Sequence, residues 1–267
     1  MKVALIQMNS QDDKAANLEQ ARRLIERAVV EERPDLVTLP EIFPLMTDDL
    51  ARKQAAAEPV PGGEAYGLLQ ELAARHGIVL HGGSLYERDG DAMYNTTVVF
   101  DRDGSELARY RKLHMFDIVT PDGKEYRESA TFQRGARTVC FDALGTRIGL
   151  SICYDVRFAE LYRQLVEDGA RLILVPAAFT LQTGKDHWEV LLRARAIETQ
   201  TYVLAPAQWG AFAGGRRACY GHSLVVDPWG HVIAKASDGV GYVAARLDLA
   251  EVERVRARMP CAQHRVL

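Results

Sequence analysis

The sequence predicts an α/β fold, a four-layer α-β-β-α sandwich in which two mixed sheets pack face to face between outer helices. Helical and strand patterns alternate towards both ends of the chain, while two hairpin signals, at 101–104 and 144–145, lie in the middle. Alternation predicts helices that cover sheets, and hairpins add antiparallel strands to those sheets. Neither an internal repeat nor a low-complexity linker interrupts the pattern, so we expect one domain over residues 1–267.

The N-terminal elements follow from apolar spacing and stop signals. Short apolar runs predict buried strands, and apolar residues that recur at helical spacing predict amphipathic helices. Pro34 ends the first helix and Gly77 the second, because proline cannot continue a helix and glycine readily takes left-handed dihedral angles. We therefore expect strands at 3–8, 36–39 and 78–84 and helices at 13–32 and 64–76.

The later elements are assigned in the same way, with a further turn at 227–230. Residues 118–137 are polar and have no period, and a loop of that length in a compact domain is usually functional. We expect strands at 95–100, 106–111, 138–141, 146–152, 171–175, 202–206, 219–226, 231–235 and 241–247, and helices at 157–168, 186–200 and 248–258.

Composition and charge exclude several classes of protein. Apolar residues make up 48% of the chain and charged residues 26%, which is typical of a folded globular protein rather than a disordered one. The net charge is −3 and both signs are spread along the chain, which argues against nucleic-acid binding and against a polybasic membrane patch. No apolar run is long enough to span a membrane, and the N-terminus lacks the pattern of a signal peptide.

The four cysteines are Cys140, Cys153, Cys219 and Cys261, and none forms a CxxC pair. This spacing favours neither a zinc site nor a disulfide framework, so we expect reduced thiols and a cytoplasmic location. Cys153 stands apart because it follows the apolar strand GLSI and precedes a predicted helix. A helix N-terminus stabilises a thiolate, and its N–H groups can bind an oxyanion. The same setting also suits an ordinary buried cysteine.

A nucleophilic cysteine needs a base, and Glu41 is the strongest candidate. None of the seven histidines has the local sequence of a Cys–His hydrolase. Glu41 follows the apolar strand LVTL and stands between Pro40 and Ile42, so we expect it to be desolvated, which suits a base. Lys112 ends another strand and enters an apolar loop, and Glu128 lies in the irregular stretch. Each of these residues, taken singly, also fits a role without catalysis. Glu41 fits an ordinary turn carboxylate, Lys112 a solvated lysine at a strand end, and Glu128 a surface carboxylate.

Together, Glu41, Lys112 and Cys153 resemble the Glu-Lys-Cys triad of the nitrilase superfamily, also called the carbon–nitrogen hydrolases. The matching motifs are LPEIF, YRKLHMFD and ICYDVRFAE, in the family's order, and Glu128 matches the family's second glutamate. The resemblance extends from residue 3 to the C-terminal QHR. The carboxyl half, with HWEVLLRARAIETQTYVLAPAQWG, YGHSLVVDPWG and MPCAQHR, is most similar to the Nit branch and, within it, to the deaminated-glutathione amidases.

This resemblance implies an amidase that needs no metal or cofactor, since a thiol supplies the nucleophile. Cys153 would attack a terminal carboxamide, Glu41 would pass the thiol proton to the leaving ammonia, and water would then hydrolyse the thioester. Lys112 and the backbone N–H of Tyr154 would stabilise the oxyanion, and one such donor is worth about 3–4 kcal/mol. Glu128 would orient Lys112 or hold the substrate amide.

Substrates of the Nit branch carry carboxylates, for which arginine is a suitable partner. Arg157 is the candidate from the sequence, although a helix cap or a salt bridge to Glu160 fits the same position. Trp188 is expected in the core. The other candidates for the pocket wall are Tyr154, Phe116, Phe179 and His187.

Departures from the branch leave the substrate open. AFAGGRR and the alanine of FAE differ from the subgroup pattern. The alternatives are therefore an ω-amidase acting on 2-oxoglutaramate and another nitrilase or carbamoylase, whereas the intact set of four residues disfavours a catalytically silent interaction protein.

The resemblance also implies a homodimer or a multiple of one. Its candidate surfaces are the helix at 157–168 and the tail at 248–267, and the expected partner is a small amide rather than nucleic acid or membrane.

Overall fold

The protein is described by a computed structural model that covers residues 1–120 and 123–266. In chain order its strands are β1 (Lys2–Gln7), β2 (Leu36–Thr38), β3 (Val79–His81), β4 (Leu85–Asp89), β5 (Ala92–Phe100), β6 (Glu106–Arg111), β7 (Asp117–Val119), β8 (Glu125–Arg127), β9 (Cys140–Ala143), β10 (Thr146–Leu150), β11 (Leu172–Leu174), β12 (Tyr202–Ala205), β13 (Trp209–Phe212), β14 (Arg217–Tyr220), β15 (Leu224–Val226), β16 (Val232–Lys235) and β17 (Gly241–Arg246). Its helices are α1 (Lys14–Glu32), α2 (Leu50–Ala56), α3 (Glu64–His76), α4 (Ala159–Glu167), α5 (Leu181–Thr199) and α6 (Ala250–Arg258), with 3₁₀ turns at Glu128–Ala130 and Cys153–Arg157.

Two large sheets form the centre of the molecule. The first has the strand order β17-β1-β2-β3-β5-β4, with β6 also paired to β5, and the second has the order β16-β15-β12-β11-β10-β9. In the first sheet β1, β2 and β3 run parallel, and in the second β10, β11 and β12 do. The flanking strands pair antiparallel, including both predicted hairpins. Both sheets are therefore mixed, as the sequence predicts.

The burial of successive side chains shows how the layers are stacked. Along β1, Val3 and Leu5 belong to the same core cluster as Ile148 of the second sheet, whereas Ala4 and Ile6 belong to the cluster beneath α1 and α3. Successive side chains of a strand point to opposite faces, so one face of this sheet meets the second sheet and the other meets the helices. Helices α4 and α5 contact the second sheet. The predicted four-layer α-β-β-α sandwich is confirmed.

The predicted strand at 219–226 is wrong. The chain forms two strands there, β14 and β15, which belong to different sheets. Gly221 and His222 lie between them with φ angles of 73° and 59°, left-handed values that interrupt an extended strand. β14 pairs instead with β13, a strand that the apolar pattern does not indicate.

The junction at Cys153 also differs from the prediction. β10 ends at Leu150, a 3₁₀ turn covers Cys153–Arg157, and α4 begins only at Ala159. Cys153 therefore does not stand at the N-terminus of an α-helix, and the dipole of α4 does not act on it directly. Helix α5 begins at Leu181 rather than at residue 186, and the side chain of Thr180 caps its N-terminus.

The stretch 118–137 is more regular than its sequence suggests. β7 and β8 form a hairpin within it, in which Ile118 lies opposite Tyr126. A 3₁₀ turn then begins at Glu128. Residues 121 and 122 of this predicted loop lie outside the described residues.

One of the described helices is not indicated by the sequence pattern. α2 has no buried residue, so no apolar stripe marks it. The other helices fall within or near their predicted segments, and α6 lies inside the one expected at 248–258. Of the helices in the described part of the chain, none is both long and apolar enough to cross a membrane.

Candidate active site

One cavity collects side chains from segments that are far apart in the sequence. All four predicted catalytic residues line it, namely Glu41, Lys112, Glu128 and Cys153. Three of the predicted pocket residues line it as well, namely Phe116, Tyr154 and Phe179. The fold therefore brings the residues of three separate sequence motifs to one place.

Cys153 occupies a sharp turn at the cavity wall. Its φ angle is 47°, in the left-handed region, which costs a non-glycine residue about 1–3 kcal/mol. The backbone N–H of Cys153 donates to the carbonyl oxygen of Pro176 at 2.9 Å, and the residue is only 6% exposed. A strained turn between a strand and a helix is a known way for a hydrolase to present its nucleophile. The predicted strand–nucleophile arrangement is present, with a 3₁₀ turn in place of the expected α-helix.

The buried carboxylate of Asp155 fixes this turn. One oxygen, Oδ2, accepts from the N–H of Ile152 at 2.9 Å and from the hydroxyl of Tyr110 at 2.7 Å. The other, Oδ1, accepts from the N–H of His114 at 3.0 Å. Asp155 thus ties the Cys153 turn to the chain segment on both sides of Lys112. The sequence analysis did not single out this residue, although an aspartate within the ICYDV motif, between apolar neighbours, is a signal for a buried, hydrogen-bonded carboxylate.

Glu41 lies just beyond β2 and is held by donors on both of its oxygens. Oε1 accepts from Nζ of Lys112 at 2.9 Å and from Nδ2 of Asn95 at 2.9 Å. Oε2 accepts from the backbone N–H of Ala178 at 2.9 Å. The residue is 4% exposed, so its predicted desolvation is confirmed. Its carboxylate is therefore fixed in place rather than free to rotate.

Glu128 and Glu41 hold Lys112 between them. Nζ of Lys112 lies 2.8 Å and 3.0 Å from the two oxygens of Glu128, in addition to its contact with Glu41. Glu128 also accepts from the backbone N–H of Phe116 at 2.7 Å and from Asn95 at 3.2 Å. Lys112 is only 2% exposed, and a buried ammonium ion is stable only when paired in this way.

The ionisation of these groups follows from burial and charge. Burial raises the pKa of the Cys153 thiol well above its usual value, and the Glu41 carboxylate raises it further, while Lys112 and the Ala178 N–H act in the opposite direction. Burial lowers the pKa of Lys112, but Glu128 and Glu41 outweigh it, so that pKa lies well above its usual value. The resting site therefore contains a neutral thiol beside an ammonium ion. The expectation that a helix dipole would favour a thiolate is wrong.

Two predicted pocket residues, Arg157 and His187, are not among the described residues that line the cavity. Nη2 of Arg157 lies 3.4 Å from Nδ1 of His187, and its guanidinium carbon lies 5.4 Å from the ring centre of Phe179. Among the described ion pairs, none joins Arg157 to Glu160. Arg157 therefore contacts two residues that line the cavity, Phe179 and, at 5.7 Å, the ring of Tyr154, without being a lining residue itself. Trp188 is buried in the core, as expected.

The cavity also contains residues that the sequence analysis did not single out. Asn95 of β5 bridges the two glutamates through its amide nitrogen. A polar side chain within an otherwise apolar strand, AMYNTTVVF, is the signal that could have indicated it. Lys53, Arg217 and Cys219 line the cavity as well. No local motif marks these three, since they are brought there by α2 and by the β13–β14 hairpin.

Comparison of the sequence with known protein families gives a match to the family described as carbon–nitrogen hydrolase, over residues 2–257. A deaminated glutathione amidase of Synechocystis is 43% identical over 269 residues, which cover 98% of this chain and 97% of the relative. An omega-amidase of Saccharomyces cerevisiae is 38% identical over 272 residues, which cover 99% of this chain and 93% of the relative.

Solved structures show the same likeness. The NitFhit protein of Caenorhabditis elegans superposes with a TM-score of 0.90 at 40% identity, and the superposition covers 99% of this chain and 64% of that one. Nit3 of Saccharomyces cerevisiae, a member of branch 10 of the nitrilase superfamily, superposes with a TM-score of 0.90 at 34% identity. That superposition covers 100% of this chain and 97% of the yeast chain.

Proposed function

Because this chain belongs to the carbon–nitrogen hydrolase family, we propose that it is an amidase acting on small carboxylate-bearing metabolites of the deaminated-glutathione type. The observation that carries the proposal is the placement of Lys112 between Glu41 and Glu128 in the cavity that Cys153 lines. A thiol, a buried carboxylate and a fixed cation are the groups that amide hydrolysis through a thioester requires.

Glu41, rather than Glu128, is proposed as the general base. Each oxygen of Glu128 already accepts two hydrogen bonds, from Lys112 and Asn95 at Oε1 and from Lys112 and Phe116 at Oε2. Oε2 of Glu41 accepts one, from the N–H of Ala178. It therefore keeps a lone pair for the thiol proton, and Glu128 is left with the role of positioning Lys112.

The proposed reaction has two steps. In the first, Cys153 Sγ bonds to the amide carbon while Glu41 takes the thiol proton and passes it to the leaving nitrogen, so that the C–N bond breaks and a thioester remains. In the second, Glu41 takes a proton from water, the hydroxide oxygen bonds to the carbonyl carbon, and the C–S bond breaks to return the thiol. The oxyanion of each step lies beside the ammonium of Lys112 and the N–H of Tyr154.

We expect the protein to hydrolyse deaminated glutathione with a kcat/KM at least about tenfold above that for 2-oxoglutaramate or a simple nitrile, because a deaminated glutathione amidase is 43% identical to it over 98% of this chain. Deaminated glutathione contains secondary amides, so its cleavage releases an amine and not the ammonia expected from a terminal carboxamide. 2-Oxoglutaramate contains a primary amide, whose cleavage releases ammonia. The assay therefore follows both leaving groups. Failure to cleave any amide would contradict the proposed function.

The second proposed function is an ω-amidase, which the similarity to the yeast omega-amidase over 99% of this chain favours. It uses the same triad and differs in the substrate that the cavity admits. A higher kcat/KM for 2-oxoglutaramate, with ammonia as the leaving group, supports this alternative. Turnover of the nitrile alone supports a nitrilase instead.

Two broader proposals go with the enzyme. All four cysteines are free thiols, which supports the proposal of a reducing, cytoplasmic location. The family match over residues 2–257 supports the proposal that residues 1–267 act as one domain. The proposed ligand is a small amide, and neither nucleic acid nor a membrane is a proposed partner.

We further propose that the protein is a homodimer or a multiple of one, formed through the helix predicted at 157–168 and the tail at 248–267. In the tail, Met259 is 45% exposed and Val266 is 92% exposed, and apolar side chains in such positions favour burial against a partner. Leu267 lies outside the described residues. Sedimentation velocity is expected to give a mass of at least twice 29.7 kDa. A stable monomer at micromolar concentration would reject the proposal.

A further inference from the structure

Besides Arg127, which pairs with Glu125, the cavity is lined by two cationic side chains that the proposed mechanism does not use, Lys53 of α2 and Arg217 of β14. Nη1 of Arg217 is buried and has no hydrogen-bond partner. Buried polar groups almost always have a partner, so an unpaired guanidinium nitrogen in a cavity wall points to a ligand that completes it. Neither cation forms an ion pair with a carboxylate of the described residues.

The position of Arg217 is fixed by its strand. Cys219, two residues further along β14, forms an antiparallel β-bridge with Thr180. Thr180 lies two residues beyond Ala178, whose backbone N–H donates to Glu41. Side chains two residues apart lie on the same face of a strand, so Arg217 shares the cavity face of Cys219. The guanidinium carbon of Arg217 lies 4.2 Å from the ring centre of Tyr126, which holds the side chain flat against the wall.

A continuous aromatic wall connects Arg217 with the nucleophile. The ring of Tyr126 meets that of Phe116 edge-on at 5.2 Å, and Phe116 meets Tyr154, the residue after Cys153, edge-on at 5.1 Å. A chain-like substrate that lies along this wall with its amide carbon at Cys153 therefore extends towards the guanidinium of Arg217.

The other charges nearby are already paired. Asp48 lines the cavity but forms an ion pair with the exposed Arg216 at 2.9 Å. Glu125 lines it and pairs with Arg127 at 2.6 Å. Burial lowers the pKa of Lys53 and the charge of Arg217 adds to the lowering, while the carboxylates of Glu128 and Asp48 oppose it without forming an ion pair with it. Two unpaired like charges in one part of the wall favour an anion between them.

We propose that Arg217, assisted by Lys53, binds the substrate carboxylate that lies farthest from the scissile amide. The inference rests on the proposed amidase function and deepens it, because it names the residues that select acidic amides. The planar guanidinium matches a carboxylate through two parallel hydrogen bonds, and the ammonium of Lys53 adds a point charge. The role that the sequence analysis gave to Arg157 passes to Arg217.

The test compares Arg217→Gln with Arg23→Gln, which removes the same charge from an exposed position on α1 that does not line the cavity. Two substrates of equal chain length are used, glutaramate, which ends in a carboxylate, and pentanamide, which ends in a methyl group. The wild type is expected to prefer glutaramate, and Arg217→Gln is expected to lower that preference about 10- to 100-fold. Arg23→Gln is expected to keep the wild-type preference, and Arg217→Lys to restore part of it.

A binding measurement separates this inference from the proposed function. Calorimetric titration of the wild type with glutarate, which has no amide, is expected to show binding that Arg217→Gln weakens at least about tenfold. If the wild type has no preference for glutaramate, or if Arg217→Gln keeps both the preference and the glutarate affinity, the inference is overturned while the amidase proposal stands. If no amide is cleaved, the proposed function fails, and the glutarate titration alone decides the inference.

Discussion

Replacement of Cys153 by alanine is expected to lower kcat/KM for amide hydrolysis by at least about 10⁴-fold. The reason is that no other described group of the cavity combines a nucleophilic atom with a neighbouring base and a fixed cation. Cys153 is buried beside Glu41 and Lys112, and its thiol is neutral at rest, so attack needs the proton transfer that this arrangement supplies. Alanine removes the atom that forms the thioester and changes little else. Steady-state kinetics with the preferred amide measures the effect.

The chain offers a matched control in Cys219. It is 4% exposed, lines the same cavity, and has a pKa raised by burial, as Cys153 does. It lies on β14 rather than on the strained turn, so Cys219→Ala is expected to cost less than about tenfold. Acid quenching during turnover, followed by intact-protein mass measurement, should show an acyl adduct on the wild type and on Cys219→Ala but not on Cys153→Ala. Unaltered hydrolysis by Cys153→Ala would refute the mechanism.

Replacement of Glu41 by glutamine is expected to lower kcat/KM about 10²- to 10⁴-fold, the usual contribution of a general base. Glutamine has nearly the same shape, and its one amide oxygen can still accept from Lys112 and Asn95. The NH2 group that replaces Oε2 can neither accept from the N–H of Ala178 nor take the thiol proton. Lys112 retains its pair with Glu128, at 2.8 Å, so the cation keeps a partner and the fold is expected to persist. Thermal unfolding of the variant checks this point.

Glu87 provides the control for loss of a buried carboxylate as such. It is 1% exposed and is bonded to Arg111 at 2.9 Å, yet it is not among the cavity-lining residues. Glu87→Gln is expected to reduce the free energy of unfolding by about 1–3 kcal/mol, because a buried charged pair is broken, and to change kcat/KM little. Equal losses of activity in the two variants would show that Glu41 acts through stability rather than as a base.

The fold could be predicted from the sequence wherever periodicity and turn signals agree. The helix Glu64–His76 has the predicted bounds, because an apolar stripe marks its buried face and Gly77 ends it in the left-handed conformation. The prediction failed at 219–226, where two strands are joined by left-handed residues that include the non-glycine His222. It also failed at Leu50–Ala56, which has no buried face to leave a pattern.

In the candidate site, too, some residues could be predicted from the sequence and others could not. Glu41, Lys112, Glu128 and Cys153 stand in motifs, and the structure places all four at one cavity. Arg157 was named for the carboxylate because it follows the nucleophile in the sequence, whereas the unpaired guanidinium in the cavity wall belongs to Arg217. Arg157 instead lies 3.4 Å from His187, and which arginine binds the carboxylate is decided by the Arg217→Gln test.

The sequence by itself determined the fold class, the family resemblance and the three residues of the proposed triad, because local periodicity and short motifs are properties of neighbouring residues. Only the tertiary structure decided how many hydrogen bonds each oxygen of Glu41 and Glu128 accepts, that burial raises the pKa of the Cys153 thiol, and which cavity cations have no ion pair among the described residues. These properties depend on burial and on hydrogen bonds between distant segments, such as those from Lys112, Asn95 and Ala178 to Glu41. Such contacts leave no trace in the local order of residues.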